Sequence, residues 1–467
     1  AENQQKDVEV SQMERPKTSG ELQDSGYVSR TVKSEIRVNL IRKIQNGEAL
    51  FPDIVGFEDT VIPHIENAIL SEQDIILLGE RGQAKTRLMR SFISLLDPEI
   101  PAIAGCDLRD DPFSPICKKC VEIVSENGFN TPLAWIQREN RYTEKLATPD
   151  VTIADIIGEI DPIKVAEGRY LSDESTIHFG LIPRSNRGIF AINELPELAE
   201  KIQVGLFNIL QERDVQIRGF TVRLPLDVYL IASANPEDYT NRGRIITPLK
   251  DRFGSQIRTH YPPTREHEIQ IMEQERRRFP EEPELIMPTF MKEIIAEITR
   301  QARNHAEIDQ GSGVSVRVSI NNLENCISNA LRRQLKLKEK YIVPRITDLA
   351  YLVPSTTGKI EIESFGEGEE HKVVVQLIDK AVSNVFQGRF DGRDFSTLLS
   401  RFKDSNGFIV SDILPSLEYQ KQSERLIVPV DLLTGMEIHC PEMAASALEF
   451  ILEGLHLSGS LTKEQIE

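Results

Sequence analysis

The chain has 467 residues, 40% hydrophobic and 27% charged, enough for two or three cores of ordinary size. Its 73 acidic against 55 basic side chains leave a net charge of -18, which repels nucleic-acid phosphates and argues against a DNA-coating role unless basic residues cluster on one surface. No apolar run reaches the roughly 20 residues of a membrane span, AENQQKDVEV has no apolar signal stretch, and five cysteines, an odd number, speak against a disulfide framework. The expectation is a cytoplasmic protein in a reducing compartment, with no membrane partner.

Residues 1–34 are rich in Gln, Glu, Lys and Ser and poor in apolar periodicity, the composition of a disordered tail. From Ser34 onward Val38, Leu40, Ile41, Ile44 and Leu50 set up a helical rhythm, which Pro52 breaks. Through residue 262, short apolar strands (Ile75 to Leu78, Gly188 to Ile192, Val228 to Ala232) alternate with helical segments such as Ile202 to Gln211. That alternation predicts an α/β domain around a parallel sheet over 35–262. After Tyr261, Pro262 and Pro263, residues 263–350 read as amphipathic helices, clearest over Glu266 to Arg278 and Met291 to His305. Residues 351–467 are expected to be mostly helical, notably Ala444 to Leu455. Lys372 to Ile378 fits either a short strand or a helix start, and the run from Gly366 to Glu370 reads as a solvated loop. The basic run Arg332, Arg333, Lys336, Lys338, Lys340 reads as the wet face of a helix, and Trp135, the sole tryptophan, as a core residue.

The first strand runs into Gly79, Glu80, Arg81, Gly82, Gln83, Ala84, Lys85, Thr86 and then into a helix beginning near Arg87. A strand, a tight loop and a helix N-terminus aim several backbone N–H groups and the helix dipole at one anion. The spacing is that of a phosphate-binding loop, with Ala84 where its second glycine belongs. The alanine is tolerable if its φ is negative. Lys85 is placed to reach β and γ phosphates and Thr86 to ligate Mg²⁺. Gly188 to Glu194 is an apolar strand ending in two polar groups, of which Glu194 is placed to polarise an attacking water. Asn193 stands where a magnesium-holding aspartate is usual and brings no charge. Val228 to Ala232 leads to Asn235, an amide able to sense a γ-phosphate. Arg252, just before the domain boundary, is placed to reach a neighbouring subunit's nucleotide.

These residues resemble the AAA+ ATPases of the MoxR and magnesium-chelatase I-subunit branch over roughly residues 35–335. The carriers are GERGQAKT, GIFAINELPEL, LIASANPEDYTNRGRIITPLKDRF and the later GVSVRVS. The resemblance implies a P-loop AAA+ parallel-sheet core, a helical lid over 263–350 and a helical C-terminal region of unassigned role. It implies ATP and Mg²⁺ as cofactors, a nucleotide grip by Lys85 and Thr86, water activation by Glu194, Asn235 as first sensor, Arg252 as finger and Arg317 as lid arginine. Arg242 and Arg244 would support the contact between subunits. It also implies a homo-hexamer, an inserted hairpin within 158–187 that touches a client, and a protein partner carrying a von Willebrand factor A domain. Two other enzymes share such a core: a chelatase motor subunit, and a sigma-54-type activator, whose GAFTGA-like loop and helix-turn-helix are not seen here. A nucleotide-gated scaffold with little hydrolysis is the non-enzymatic alternative.

The stretch 105–140 is longer than the family core requires, and it carries Cys106, Cys117 and Cys120. A CxxC pair can bite one metal, and three thiolates are one short of a closed zinc site. His64, His178, Cys326, Cys440 or an aspartate such as Asp110 could complete a structural Zn²⁺ site. Ordinary buried thiols are the alternative.

Overall fold

The computed structural model describes residues 15–161, 163, 176–212, 215–217, 220–222, 224–235, 245–309, 311–362, 369–403, 407–426, 436 and 438–464. Its strands in chain order are β1 (Ile75–Leu78), β2 (Glu99–Ile103), β3 (Leu133–Gln137), β4 (Tyr142–Leu146), β5 (Gly158–Ile160), β6 (Ile177–Phe179), β7 (Gly188–Asn193), β8 (Val215–Ile217), β9 (Phe220–Val222), β10 (Val228–Ala234) and β11 (Ser255–Arg258). The chain divides into two compact units. One comprises residues 1–79 and 84–259, the other residues 80–83 and 260–467.

The first unit is built on a five-stranded sheet in the order β11-β1-β10-β7-β4. Every neighbouring pair in it is parallel. A parallel sheet covered on both faces calls for strands that are apolar throughout, and IILL, GIFAIN and VYLIASA meet that demand. The two-residue period then sorts the side chains. Ile75, Leu77, Ile189, Ala191, Tyr229 and Ile231 join one core with Ile36, Leu40, Ile65 and Phe92, from the helices on that face. Ile76, Leu78, Phe190, Ile192, Leu230 and Ala232 join the other, with Ile202 and Leu206. Each fully buried Ile or Leu side chain contributes about 1.5–3 kcal/mol, so the sheet's register is strongly specified.

Polar groups lock the rim of this unit. Arg141, 1% exposed, sends two parallel N–H bonds to Glu35 at 2.7 and 2.6 Å and donates its Nε to the Arg187 carbonyl at 2.9 Å. This joins the helix Val32–Gln45 to the starts of β4 and β7. Gly188 is required there, because a Cβ at that position would lie 2.3 Å from the Arg141 carbonyl oxygen.

The expectation of a disordered tail over 1–34 fails for its described part. Residues 19–24 form a helix capped by Thr18, and a second helix starts at Val32. Backbone bonds run from Ser19 to Thr131 and from Leu133 to Lys17, and the Trp135 indole donates to the Pro16 carbonyl at 3.0 Å. Leu22, Val32 and Ile36 are buried. The segment is ordered by main-chain pairing with the 105–140 insert and by a few apolar anchors, which average composition does not register. Trp135 is half-buried on that insert instead of packed within a core.

The second unit is helical: Arg265–Glu275, Thr289–Ala302, Arg317–Leu337, Glu369–Phe390, Ser396–Lys403, Ser416–Leu426 and Pro441–Leu457. One apolar cluster runs through it, from Met272 and Ile294 to Leu377, Phe386 and Phe450, so the described residues on either side of position 350 share a core. The segment Lys372 to Ile378 is helical, and Glu369 and Glu370 open that helix. Arg333 departs from the expected wet face. It is buried, paired with Asp348, and donates to the Val343 carbonyl at 2.6 Å.

Candidate nucleotide site and a thiol cluster

Parallel strands deliver their C-terminal ends to one edge, and β10 lying between β1 and β7 brings three sequence-distant tips together. Gly79 N–H donates to the Ala234 carbonyl at 3.1 Å, which ties the start of the loop to the end of β10. Lys85 opens the helix Lys85–Ser91 and directs its Nζ to the Gly79 carbonyl and to Asn235 Oδ1, the latter at 2.8 Å. Within the loop, Glu80 N–H donates to Gln83 Oε1 at 3.1 Å.

Ala84 has φ 54° and ψ 15°, the left-handed region. The condition that its φ be negative is therefore not met, and the methyl group carries strain of about 1–2 kcal/mol at a position suited to glycine. Glu194 is left-handed as well, with φ 57°. Two strained non-glycine residues at one sheet edge are the kind of concentration found where a backbone must present groups to a ligand.

Thr86 Oγ1 donates to Asn193 Oδ1 at 3.1 Å, and Ser233 Oγ donates to the same oxygen at 3.2 Å. Ser233 Oγ in turn accepts the Glu194 N–H at 3.2 Å. With its proton committed to Asn193, the Thr86 hydroxyl keeps its lone pairs for a cation, so these oxygens fit a hard metal ion.

Glu144 on β4 was not among the sequence-derived site residues. Its Oε1 accepts from Asn193 Nδ2 at 2.6 Å, and its two oxygens accept from Arg90 at 2.7 and 3.0 Å. An ionised carboxylate only accepts, so Glu144 fixes the amide's rotation: nitrogen toward Glu144, oxygen toward Thr86 and Ser233. The bond to Glu144 and its charge hold the Arg90 guanidinium above its ordinary pKa. The signal for Glu144 lay in the strand pairing of β4 beside β7, in which Leu146 faces Asn193, and not in any local motif.

Arg252 ends the helix Thr247–Arg252, is exposed, and lies 5.0 Å over the Phe207 ring. Arg317 is the first residue of the helix Arg317–Leu337 in the second unit and is exposed. Arg87 lies in the first turn of the loop's helix. Arg242 and Arg244 lie outside the described residues, as does most of the tip of the expected hairpin. Its antiparallel base, β5 with β6, is described.

Cys106, Cys117 and Cys120 converge, and Asp110 is the fourth member of their cluster. All four ligand atoms lie within 4.8 Å of one another. Cys326 is buried in the core of the second unit.

The AAA domain (dynein-related subfamily) matches residues 133–253. The chain is 26% identical over 234 residues to the magnesium-chelatase subunit ChlI of Euglena gracilis, covering 47% of this chain and 62% of that protein. It is 25% identical over 257 residues to the YeaC protein of Bacillus subtilis, covering 50% of this chain and 74% of that one. Among solved structures, one of the BchI and BchD subunits of magnesium chelatase covers 71% of this chain and 94% of its own, at 19% identity and a TM-score of 0.36. The chain thus spans a little under two thirds of the ChlI relative's length, and it is similar to the magnesium-chelatase subunits, with an AAA-domain match over residues 133–253.

Proposed function

We propose that this protein binds ATP with Mg²⁺, hydrolyses it in a ring of identical subunits, and uses the cycle to remodel a protein partner. The observation that carries the reading is the joint placement of Lys85 on Asn235 and Thr86 on Asn193, with Glu194 next in the chain. Lys85 would exchange its hydrogen bond to Asn235 for phosphate oxygens, freeing that amide to meet the γ-phosphate or the attacking water. Thr86, through its hydroxyl oxygen, would hold the magnesium ion, and Asn193, which accepts the Thr86 proton, would reach it through water. Bound Mg²⁺ supplies the neutralisation of charge developing on the β- and γ-oxygens. Glu194 orients the attacking water. Asn193 is neutral, and Glu144 provides the carboxylate charge from one strand away.

Arg252 is assigned the role of a finger in trans, on its exposure at the end of the helix that precedes β11. Arg317 is assigned the lid role by the GVSVRVS resemblance. The MoxR-type chaperone role with a von Willebrand factor A partner is taken as the leading reading on the MoxR-like GERGQAKT and GIFAINELPEL segments, with the chelatase motor subunit as its alternative. Mixing Lys85→Ala with Arg252→Ala subunits tests the ring. Each variant alone should be inactive, and the mixture should regain turnover at interfaces that pair an intact loop with an intact finger. No recovery, with both variants folded and a chain that stays monomeric by light scattering with ATP and Mg²⁺, would contradict it.

A further inference from the structure

We propose that Cys106, Asp110, Cys117 and Cys120 form a closed tetrahedral site for one structural zinc ion. Cys106, Asp110 and Cys117 lie on the fourteen-residue link between β2 and the helix Lys118–Asn127, and Cys120 lies in the first turn of that helix. Cys106 Sγ and Cys117 Sγ are 3.9 Å apart. Two thiolates on one tetrahedral zinc with bonds of about 2.3 Å stand about 3.8 Å apart, so this spacing needs almost no adjustment. The other donor atoms lie within 4.8 Å, a space that admits a single ion and is too small for a multinuclear iron–sulfur core.

Asp110 supplies an observation independent of the cysteines. Its residue is fully buried, and its Oδ2 accepts the N–H groups of Ile116 at 3.0 Å and Cys117 at 2.9 Å. Its Oδ1 is buried with no hydrogen-bond partner. A buried carboxylate oxygen left without a partner is unfavourable unless a cation or a proton takes it. The two N–H bonds also fix the carboxylate's direction, as the outer partners of metal ligands do. Cys106 Sγ accepts from Asp110 N–H and Cys117 Sγ accepts from Cys120 N–H, each at 3.4 Å. Such N–H···S bonds, the second of them the N-cap bond of the helix Lys118–Asn127, favour thiolates.

The ion would brace the insert against the nucleotide-binding strand. Leu108 carbonyl accepts from Asn186 at 2.9 Å, and Asp111 pairs with Arg187 at 3.2 Å. Arg187 immediately precedes β7. Binding releases the thiol protons to solvent, so uptake should follow pH.

The test is metal analysis of the full chain purified under reducing conditions without added metal, followed by exchange with Co²⁺. About one zinc per chain is expected, retained through desalting. The cobalt form should show intense tetrahedral d–d bands and thiolate-to-cobalt charge transfer. Asp110→Cys should keep the stoichiometry and strengthen the charge-transfer band, whereas Asp110→Ala should weaken retention at least tenfold while leaving ATP binding intact. Chelation should raise hydrogen exchange first in 104–120 and then around Arg187. A folded chain that contains no zinc and takes up no cobalt, with Cys106, Cys117 and Cys120 all alkylated as free thiols, would overturn the proposal, as would a disulfide among the three.

Discussion

Replacing Asn193 by aspartate restores the usual residue of this strand, and here it should harm the protein without magnesium. Asn193 is only 7% exposed, and its Nδ2 lies 2.6 Å from Glu144 Oε1. The substitution turns a charge-assisted hydrogen bond, contributing about 1.5–3 kcal/mol, into a contact between two carboxylates. At about 4 Å and an effective dielectric constant of about 20 their repulsion is about 4 kcal/mol. Arg90 already neutralises part of Glu144 and lowers the net loss to about 2–3 kcal/mol. Urea unfolding without divalent cation should show this loss for Asn193→Asp, and Mg²⁺ with nucleotide should remove most of it. Adding Glu144→Gln should recover at least about 1 kcal/mol without metal, a coupling that a double-mutant cycle isolates. A neutral Asn193→Asp together with strictly additive effects would refute the placement of Glu144 against Asn193.

Three further outcomes follow from the same geometry. Ala84→Gly should stabilise the protein by about 0.5–1 kcal/mol, because relief of left-handed strain exceeds the added chain entropy, and thermal unfolding checks the sign. Glu35→Gln leaves the buried Arg141 guanidinium without its counter-charge and should cost about 3–5 kcal/mol in denaturant unfolding, with Glu35→Asp costing less. Trp135→Phe removes the indole bond to the Pro16 carbonyl together with part of the ring's contact area, so it should increase proteolytic nicking before residue 31 while leaving nucleotide affinity unchanged.

The sheet was legible because β1, β7 and β10 are short apolar runs bounded by polar tips, and period-two burial leaves such runs few other places to go. Lys85, Thr86, Asn193, Glu194 and Asn235 could be named from their positions after those strands. Glu144 could not. Its contact with Asn193 depends on the pairing of β4 beside β7 across 49 positions of sequence, and a glutamate within YTEKL carries no local signature. Asp110 was one of several candidates to complete the cysteine set, since spacing alone does not choose among aspartates and histidines. The loop's turn through Ile103 and Asp110, joined by a backbone bond at 3.1 Å, makes the choice. Arg333 misled because its run is basic while one face of that helix is buried against Asp348. Ala84's left-handed backbone was hidden for a related reason: side-chain identity reports φ only when the residue is one that requires it.

Hydrolysis of ATP at this site is tested by single-turnover kinetics of wild type against Glu194→Gln. Mg²⁺-dependent turnover is expected in the wild type. In Glu194→Gln turnover should fall at least about 100-fold with ATP affinity retained, since the amide keeps the shape and loses the base. Wild type that binds ATP and turns it over no faster than Glu194→Gln would contradict it and leave a nucleotide-gated scaffold in its place.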